Sequence, residues 1–430
     1  MSRALALLAL IGLCIALCGC RHAVGPTPPA PLPAHEAEAW TPPYDPPDAL
    51  PAVTPQPAVA AANAFGFNLF HKLTTDKPAN VFISPTSLML AMAMVYNGAG
   101  GETKTEMAKA LQVADIPVGD VNQQLAALQT GLRTGDKDVQ VEIANSLWAS
   151  NGYSFKPPFV KLCDSYYQAT VDALDFTTPQ AMAKINGWAN EKTHGLIPEI
   201  VTRQDLGQAA LLLIDAVYFK GKWANPFHEE KTKRQTFTLP GGRTKTVEMM
   251  ERFGGYVYAE DRQLQAIALP YGTGRMNMIV VLPRNPEGLP ALQAATGDKA
   301  WRALLKRMTK RDGTIRLPRF EIAYEGYLND ALKALGMGVP FTKGDFSAMG
   351  DGIVGLGPVK HKSFLRVTEK KTEAAALTAP PMPGGPAMPR PELFEMTVDH
   401  PFLLGIVDTQ TGALVFLGGI VNPQETRAGE

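Results

Sequence analysis

From Val59 onward the apolar positions of the chain switch repeatedly between the helical period and the strand period. Ala60 to Leu73 carries helical spacing and ends before Asp76-Lys77-Pro78. Val81-Phe82-Ile83-Ser84 reads as a short strand, and Pro85 suits the first turn of the Met-rich helix that follows, up to Asn97-Gly98. Val141 to Trp148 alternates as a strand does. Ile185 to Ile197 predicts a helix with a glycine stop after His194. Leu211 to Phe219 is an apolar run broken by Asp215, the mark of a buried central strand. Phe237 to Met250 predicts a hairpin through Pro240-Gly241-Gly242, and Met276 to Pro283 a further strand. Trp301 to Arg311 predicts a helix, Leu317 to Ile322 a strand, and Asn329 to Met337 a helix closed by Gly336 or Gly338. Val359 leads another strand, and Val398 to Pro423 predicts a buried hairpin turning at Thr411-Gly412. Helix and strand patterns of this kind alternate along the whole body of the chain.

One long stretch follows neither period. Glu369 to Thr378 is charged at its start, small thereafter, and free of Gly and Pro. Ala379 to Pro391 is rich in Pro, Gly and Met and predicts an exposed loop. Long loops inside compact domains are usually functional.

Composition narrows the function. With 41 basic and 41 acidic residues among 430, no charge excess points to nucleic acid. Residues 1–20 combine one basic residue, the apolar run Ala4 to Leu17 and a small-residue end, as a secretory signal does. Leu17-Cys18-Gly19-Cys20 resembles a bacterial lipobox in which Cys20 would carry lipid. A plain signal peptide and an uncleaved anchor are the alternatives. Residues 21–58 are rich in Pro and Ala and predict an extended tether. The folded domain is expected over 59–424, with a polar tail at 425–430. Cys163 is the one cysteine outside the signal segment, so no intradomain disulfide forms, and it reads as a core residue rather than a nucleophile. Gly98 to Thr105 lacks the Gly that a phosphate loop places before its Lys and follows a helix rather than a strand. Neither a Gly-x-Ser-x-Gly elbow nor a His-Glu-x-x-His motif occurs. Lys306, Arg307, Lys310 and Arg311 read as a solvated helix face rather than a polyanion site. No catalytic set, metal or cofactor is expected, and the chain is expected to be a monomer.

Several blocks carry a family resemblance. They are Ser84-Pro85-Thr86-Ser87 with the Ala/Met-rich helix and Gly98-Ala99-Gly100-Gly101, then Tyr218-Phe219-Lys220-Gly221-Lys222-Trp223 with Pro226-Phe227. Asp345-Phe346-Ser347 and the Glu369-to-Ala376 segment complete the set. Together they resemble serpins over most of the chain. The resemblance implies the serpin fold, an α+β fold of mixed β-sheets surrounded by helices with an exposed reactive-centre loop near the C-terminus, here within 369–397. It implies suicide inhibition of serine or cysteine endopeptidases. The protease cuts the loop, and the hinge then inserts as a strand that traps the acyl-enzyme. The implied hinge is Glu369, Lys370, Lys371, Thr372, Glu373, Ala374, Ala375 and Ala376, whose small residues can slide between strands. Trp223 would sit at the breach where the hinge enters. Ser84, Ser87, Asp215 and His361 would latch the sheet, with Asp215 standing where the family usually has Asn.

Departures from the family pattern keep a second reading open. Lys371 replaces a Gly expected before Thr372. Counting from Glu369 puts the cut near Gly385-Pro386, a bond most serine proteases cut poorly, whereas Ala387-Met388 lacks a following proline and suits an elastase- or subtilisin-like enzyme. Pro380, Pro381 and Pro383 would fall in the inserting strand, where each removes a ladder donor. The alternative is a non-inhibitory member, cleaved as a substrate or serving as a binding protein. The expected partners are a target protease and a membrane reached through the N-terminal lipid, at a bacterial cell envelope or in the extracellular space.

Overall fold

A computed structural model describes residues 44–74, 78–207, 209–369 and 392–426. The signal segment with Cys20, the tether up to residue 43, the hinge from Lys370 to Ala376, both candidate scissile bonds and residues 427–430 lie outside the described residues.

The chain opens with α1 (Pro57–Leu73), β1 (Val81–Ile83), α2 (Pro85–Gly98), α3 (Gly101–Ala110) and α4 (Val118–Thr134). Next come β2 (Val139–Ser150), β3 (Ser154–Phe155), α5 (Pro157–Tyr167), β4 (Thr170–Leu174), α6 (Pro179–Lys192) and α7 (Arg203–Gly207). The middle is mostly strand: β5 (Leu211–Gly221), β6 (Lys233–Thr238), β7 (Thr244–Glu260), β8 (Leu264–Tyr271) and β9 (Met276–Pro283). After α8 (Leu289–Ala295) and α9 (Asp298–Arg307) follow β10 (Thr309–Pro318), β11 (Phe320–Tyr327), α10 (Asn329–Ala334), β12 (Gly350–Asp351) and β13 (Val359–Val367). The C-terminal strands are β14 (Phe394–Thr397), β15 (Phe402–Asp408) and β16 (Ala413–Ile420).

Two sheets dominate. The larger runs β1-β16-β15-β9-β8-β7-β10-β14, with β6 also paired to β7. The second runs β11-β13-β5-β2-β4. Buried helix α2 lies beneath both, and its Met89, Met92 and Met94 are packed core, as their apolar surroundings require. Ser84 caps α2 by accepting from the Ser87 amide, while its hydroxyl donates to the Val415 carbonyl at 2.6 Å. The helix start is thereby pinned to β16.

The structure redraws several predicted boundaries. Trp301 to Arg311 is not one helix: α9 stops at Arg307, and Thr309 onward pairs with β7, Lys310 opposite Val257 and Arg311 opposite Tyr256. Tertiary pairing overrides local propensity there. Leu317 to Ile322 is two strands in different sheets, joined at Arg319. The helix expected over Ile185 to Ile197 spans Pro179–Lys192, and His194 (φ 51°) with Gly195 (φ 86°) turns the chain out of it. The N-terminal boundary also shifts. From Tyr44 the Pro-rich segment packs on the domain: Asn225 Nδ2 donates to the Tyr44 carbonyl at 2.7 Å, the Lys310 amide to the Asp48 carbonyl at 2.7 Å, and Lys310 Nζ reaches Asp45 at 2.5 Å.

Candidate functional site

β13 and β5 run parallel, with Val359 opposite Leu213 and Leu365 opposite Phe219. Parallel strands bring both C-terminal ends to one edge of the sheet. Gly221 therefore leaves β5 beside the point where Thr368 and Glu369 leave β13. A strand lying in the seam between β5 and β13 and antiparallel to one would be antiparallel to both, because the two run parallel.

Three layers of side chains close the seam. At its mouth, Trp223 Nε1 donates to the Thr368 carbonyl at 2.8 Å. The indole stacks on Tyr271 (4.2 Å between centroids, 11° between planes) and meets Phe227 edge-on. This hydrogen bond spans from the end of β5 to the last described residues of β13's exit, held by an aromatic clamp.

Glu369 forms the second layer. Its side chain is 3% exposed, accepts from Thr232 Oγ1 at 2.6 Å, and faces Arg319 Nη1 at 3.4 Å. Sequence reasoning placed Glu369 in the hinge but not Thr232 or Arg319 beside it. The two are remote in sequence, and no motif flags them.

The third layer lies half-way down the seam. Odd-numbered residues of β2, β5 and β13 face the core, which puts Asn145, Asp215 and His361 in one row across three strands. Ser87 Oγ donates to Asp215 Oδ2 at 2.5 Å, and His361 Nδ1 to Asp215 Oδ1 at 2.6 Å. Asp215 and His361 are wholly buried. Of the four residues expected in the latch, Ser87, Asp215 and His361 meet, whereas Ser84 instead caps α2. Ser363, not anticipated, adds a bond from β13 to the Phe82 carbonyl at 2.6 Å. Asn145 completes the row, yet neither of its polar side-chain atoms finds a partner among the described residues. Asp215 thus joins His361 on the neighbouring strand to the Ser87 hydroxyl at the start of α2 in one buried hydrogen-bonded set.

Beyond the seam, the loop returns in the other sheet. Arg311 Nη2 donates to the Glu392 carbonyl at 3.3 Å, and β14 pairs with the edge strand β10 from Phe394 to Thr397. The described residues on either side of 370–391 are therefore fixed in different sheets.

Other sequence candidates take structural places. Cys163 is fully buried on α5, and burial pushes its thiol up to about 12. Around the basic cluster, Arg307 pairs with Asp261 at 2.6 Å and Arg311 with Glu260 at 2.9 Å, so these cations already have partners. No group of His, Cys, Asp or Glu among the described residues is arranged to hold a metal ion.

A family model described as serpin, serine protease inhibitor, matches residues 60–423. The chain is 33% identical over 382 residues to an uncharacterized serpin-like protein of Thermococcus kodakarensis, covering 86% of this chain and 87% of that one. It is 31% identical over 379 residues to the leukocyte elastase inhibitor of Homo sapiens, covering 85% and 99%. Among solved structures it resembles a complex of human thyroxine-binding globulin, at TM-score 0.76 and 25% identity, over 86% of this chain and 99% of that one.

Proposed function

The chain belongs to the serpin family, and on that premise we propose that it inhibits serine endopeptidases, cysteine ones as a secondary class, by trapping rather than by turnover. The observation that carries the reading is the β5–β13 seam with Glu369 rooted at its mouth. A strand entering there gains ladder partners on both sides, and each net hydrogen bond contributes about 1 kcal/mol. Small residues from Thr372 to Ala376 suit the entry. The scissile bond is Ala387-Met388, with Gly385-Pro386 the alternative. An elastase- or subtilisin-like target fits the small residue at Ala387, and similarity to an elastase inhibitor supports that class. Residues 1–20 export the chain, and lipid on Cys20 holds it at a cell envelope.

A second reading rests on a specific observation. Pro380, Pro381 and Pro383 would each leave a ladder acceptor unmet in an inserted strand, costing roughly 1–3 kcal/mol apiece. Slow insertion lets a protease finish cutting and depart. The chain is then a non-inhibitory member, a substrate or a binding protein, as the similarity to a thyroxine-binding globulin supports.

Incubation with elastase, subtilisin and trypsin tests both. The expected result is an SDS-stable complex with at least one of them. Cleavage alone, with no gain in heat stability of the cut chain, overturns the inhibitor reading. Cleavage with such a gain but no complex selects the substrate reading.

A further inference from the structure

Lys360 and Lys362 flank His361 on β13 and so point to the opposite, outer face of the sheet. Their register partners on β5, Ile214 and Ala216, lie under the connection from α6 to β5. Ile197, Ile200, Val201 and Leu206 of that connection are packed in one cluster with β5 and β2. The connection therefore belongs to the β5 side of the seam. Asn186 on α6 secures it, accepting from the Ile200 and Val201 amides at 2.9 Å each.

The lysines reach across. Lys360 Nζ lies 3.2 Å from Asp205 Oδ2 and 2.9 Å from Glu325 Oε1. The Lys360 and Asp205 side chains are each 3% exposed. Asp205 is itself fixed, since the Thr202 amide and hydroxyl both donate to the same carboxylate oxygen. Lys362 Nζ donates to the Glu199 carbonyl at 2.8 Å and pairs with Glu325 at 2.9 Å. Glu325, on β11, ties both ammonium groups to the β13 side. The result is a charged clasp: acceptors Asp205 and Glu199 on one side of the seam, lysines anchored on the other.

We propose that this clasp is a brake on seam opening that sets how far an entering strand travels. The inference deepens the loop-entry reading above and rests on it. An added strand would move β13 away from β5, from about 4.8 Å to about twice that distance. A pair held at 3.2 Å cannot survive such a step unless the connection peels off its apolar bed to follow β13. Breaking it strands a buried charge, which is unfavourable in a way that parting two apolar strands is not.

The position of the clasp is informative. A strand running antiparallel to β13 from Glu369 reaches the level of Lys362 and Lys360 after roughly eight residues. That is the proline-free portion, ending near Thr378. The part that must pass the clasp is the part that begins Pro380-Pro381. Charge on the seam and proline in the strand therefore oppose the same second half of insertion, at the depth of the latch, while the first half proceeds against the contacts of Trp223 and Glu369 at the mouth.

The test uses the full chain and the variant Lys360→Met/Asp205→Asn, which removes both charges together. Hydrogen exchange followed by mass spectrometry reads seam opening with no protease present. Amides of β5 and β13 are expected to exchange on the order of tenfold faster than in the parent, and Lys360→Arg, which keeps the cation, to stay near the parent. With elastase or subtilisin, a larger fraction of the double variant should be captured rather than cut. A folded double variant whose seam exchange equals the parent's overturns the brake. Should that variant fail to fold, Lys360→Gln is held to the same criterion. Faster exchange without capture in either chain would leave the brake standing and overturn the inhibitor reading instead.

Discussion

At the scale of single residues, the seam is held by a few polar atoms set in apolar surroundings. Removing Trp223 Nε1 by Trp223→Phe keeps most of the stack on Tyr271 but withdraws one donor from the Thr368 carbonyl. A loss of about 1 kcal/mol is expected, read as a lower urea midpoint. The latch responds differently to its two halves. Asp215→Asn keeps an acceptor and adds a donor that the Ser87 hydroxyl can take, so it should change stability by less than about 1.5 kcal/mol. His361→Ala leaves a buried carboxylate bonded to Ser87 alone and is expected to cost on the order of 3–5 kcal/mol. Equal effects of the two substitutions in urea melts would show that the pair is not the centre of the latch. Cys163 offers a simpler check. A thiol pushed up to about 12 and fully buried should not react with an aromatic disulfide reagent in the folded chain, and should react at once when unfolded.

At the scale of elements, legibility followed the source of each element's stability. α2 could be read because its Ser84-Pro85 start and its Met stripe are local signals, and the structure begins the helix at Pro85. β5 could be read because a buried strand is apolar on both faces, one toward α2 and one toward α6. Thr309 to Arg311 could not. Its residues suit a helix end, and only the ladder with Tyr256 to Tyr258 makes them strand. The site divides in the same way. Ser87, Asp215, His361 and Trp223 were reachable because they sit in blocks whose neighbours carry the family pattern. Thr232, Arg319 and the Lys360–Asp205 clasp were not, since each joins segments remote in sequence by geometry alone. Nor did the sequence betray that Tyr44 to Gln56 lies on the domain, because proline-rich composition describes a free spacer and a docked strap equally well.

For the molecule as a whole, acid sets a boundary on stability. Burial pushes Asp408 up, but the Arg275 guanidinium, the Thr411 hydroxyl and the Gln410 amide outweigh it and hold the carboxyl below the usual range. Glu325 is likewise held low against burial by Lys360 and Lys362. A carboxyl whose folded pKa is depressed contributes stability that is fully present above the ordinary value of about 4, and that stability is lost as pH falls through the lower folded value. Melting temperature should therefore be flat from neutrality down to about pH 5 and fall below about pH 4. Asp408→Asn should melt lower than the parent at neutral pH and show a shallower acid limb. An identical acid limb in parent and variant would exclude Asp408 as a source of the slope.

The larger sheet has a consequence for how the chain is made. β1, one of the first elements in chain order, pairs among the described residues with β16 alone, Val81 against Gly419, and Asn63 on α1 donates to the Gly412 carbonyl and accepts from the Leu414 amide. Phe82 stacks on Phe416. Although α1 packs early on α2 and α4, β1 waits for nearly the whole polypeptide before its strand partner exists. A ribosome-bound chain that has not yet released β16 should remain open to proteases, and a chain ending before Ala413 should never become resistant. Such an order of assembly leaves the nascent polypeptide threadable until its last strand appears.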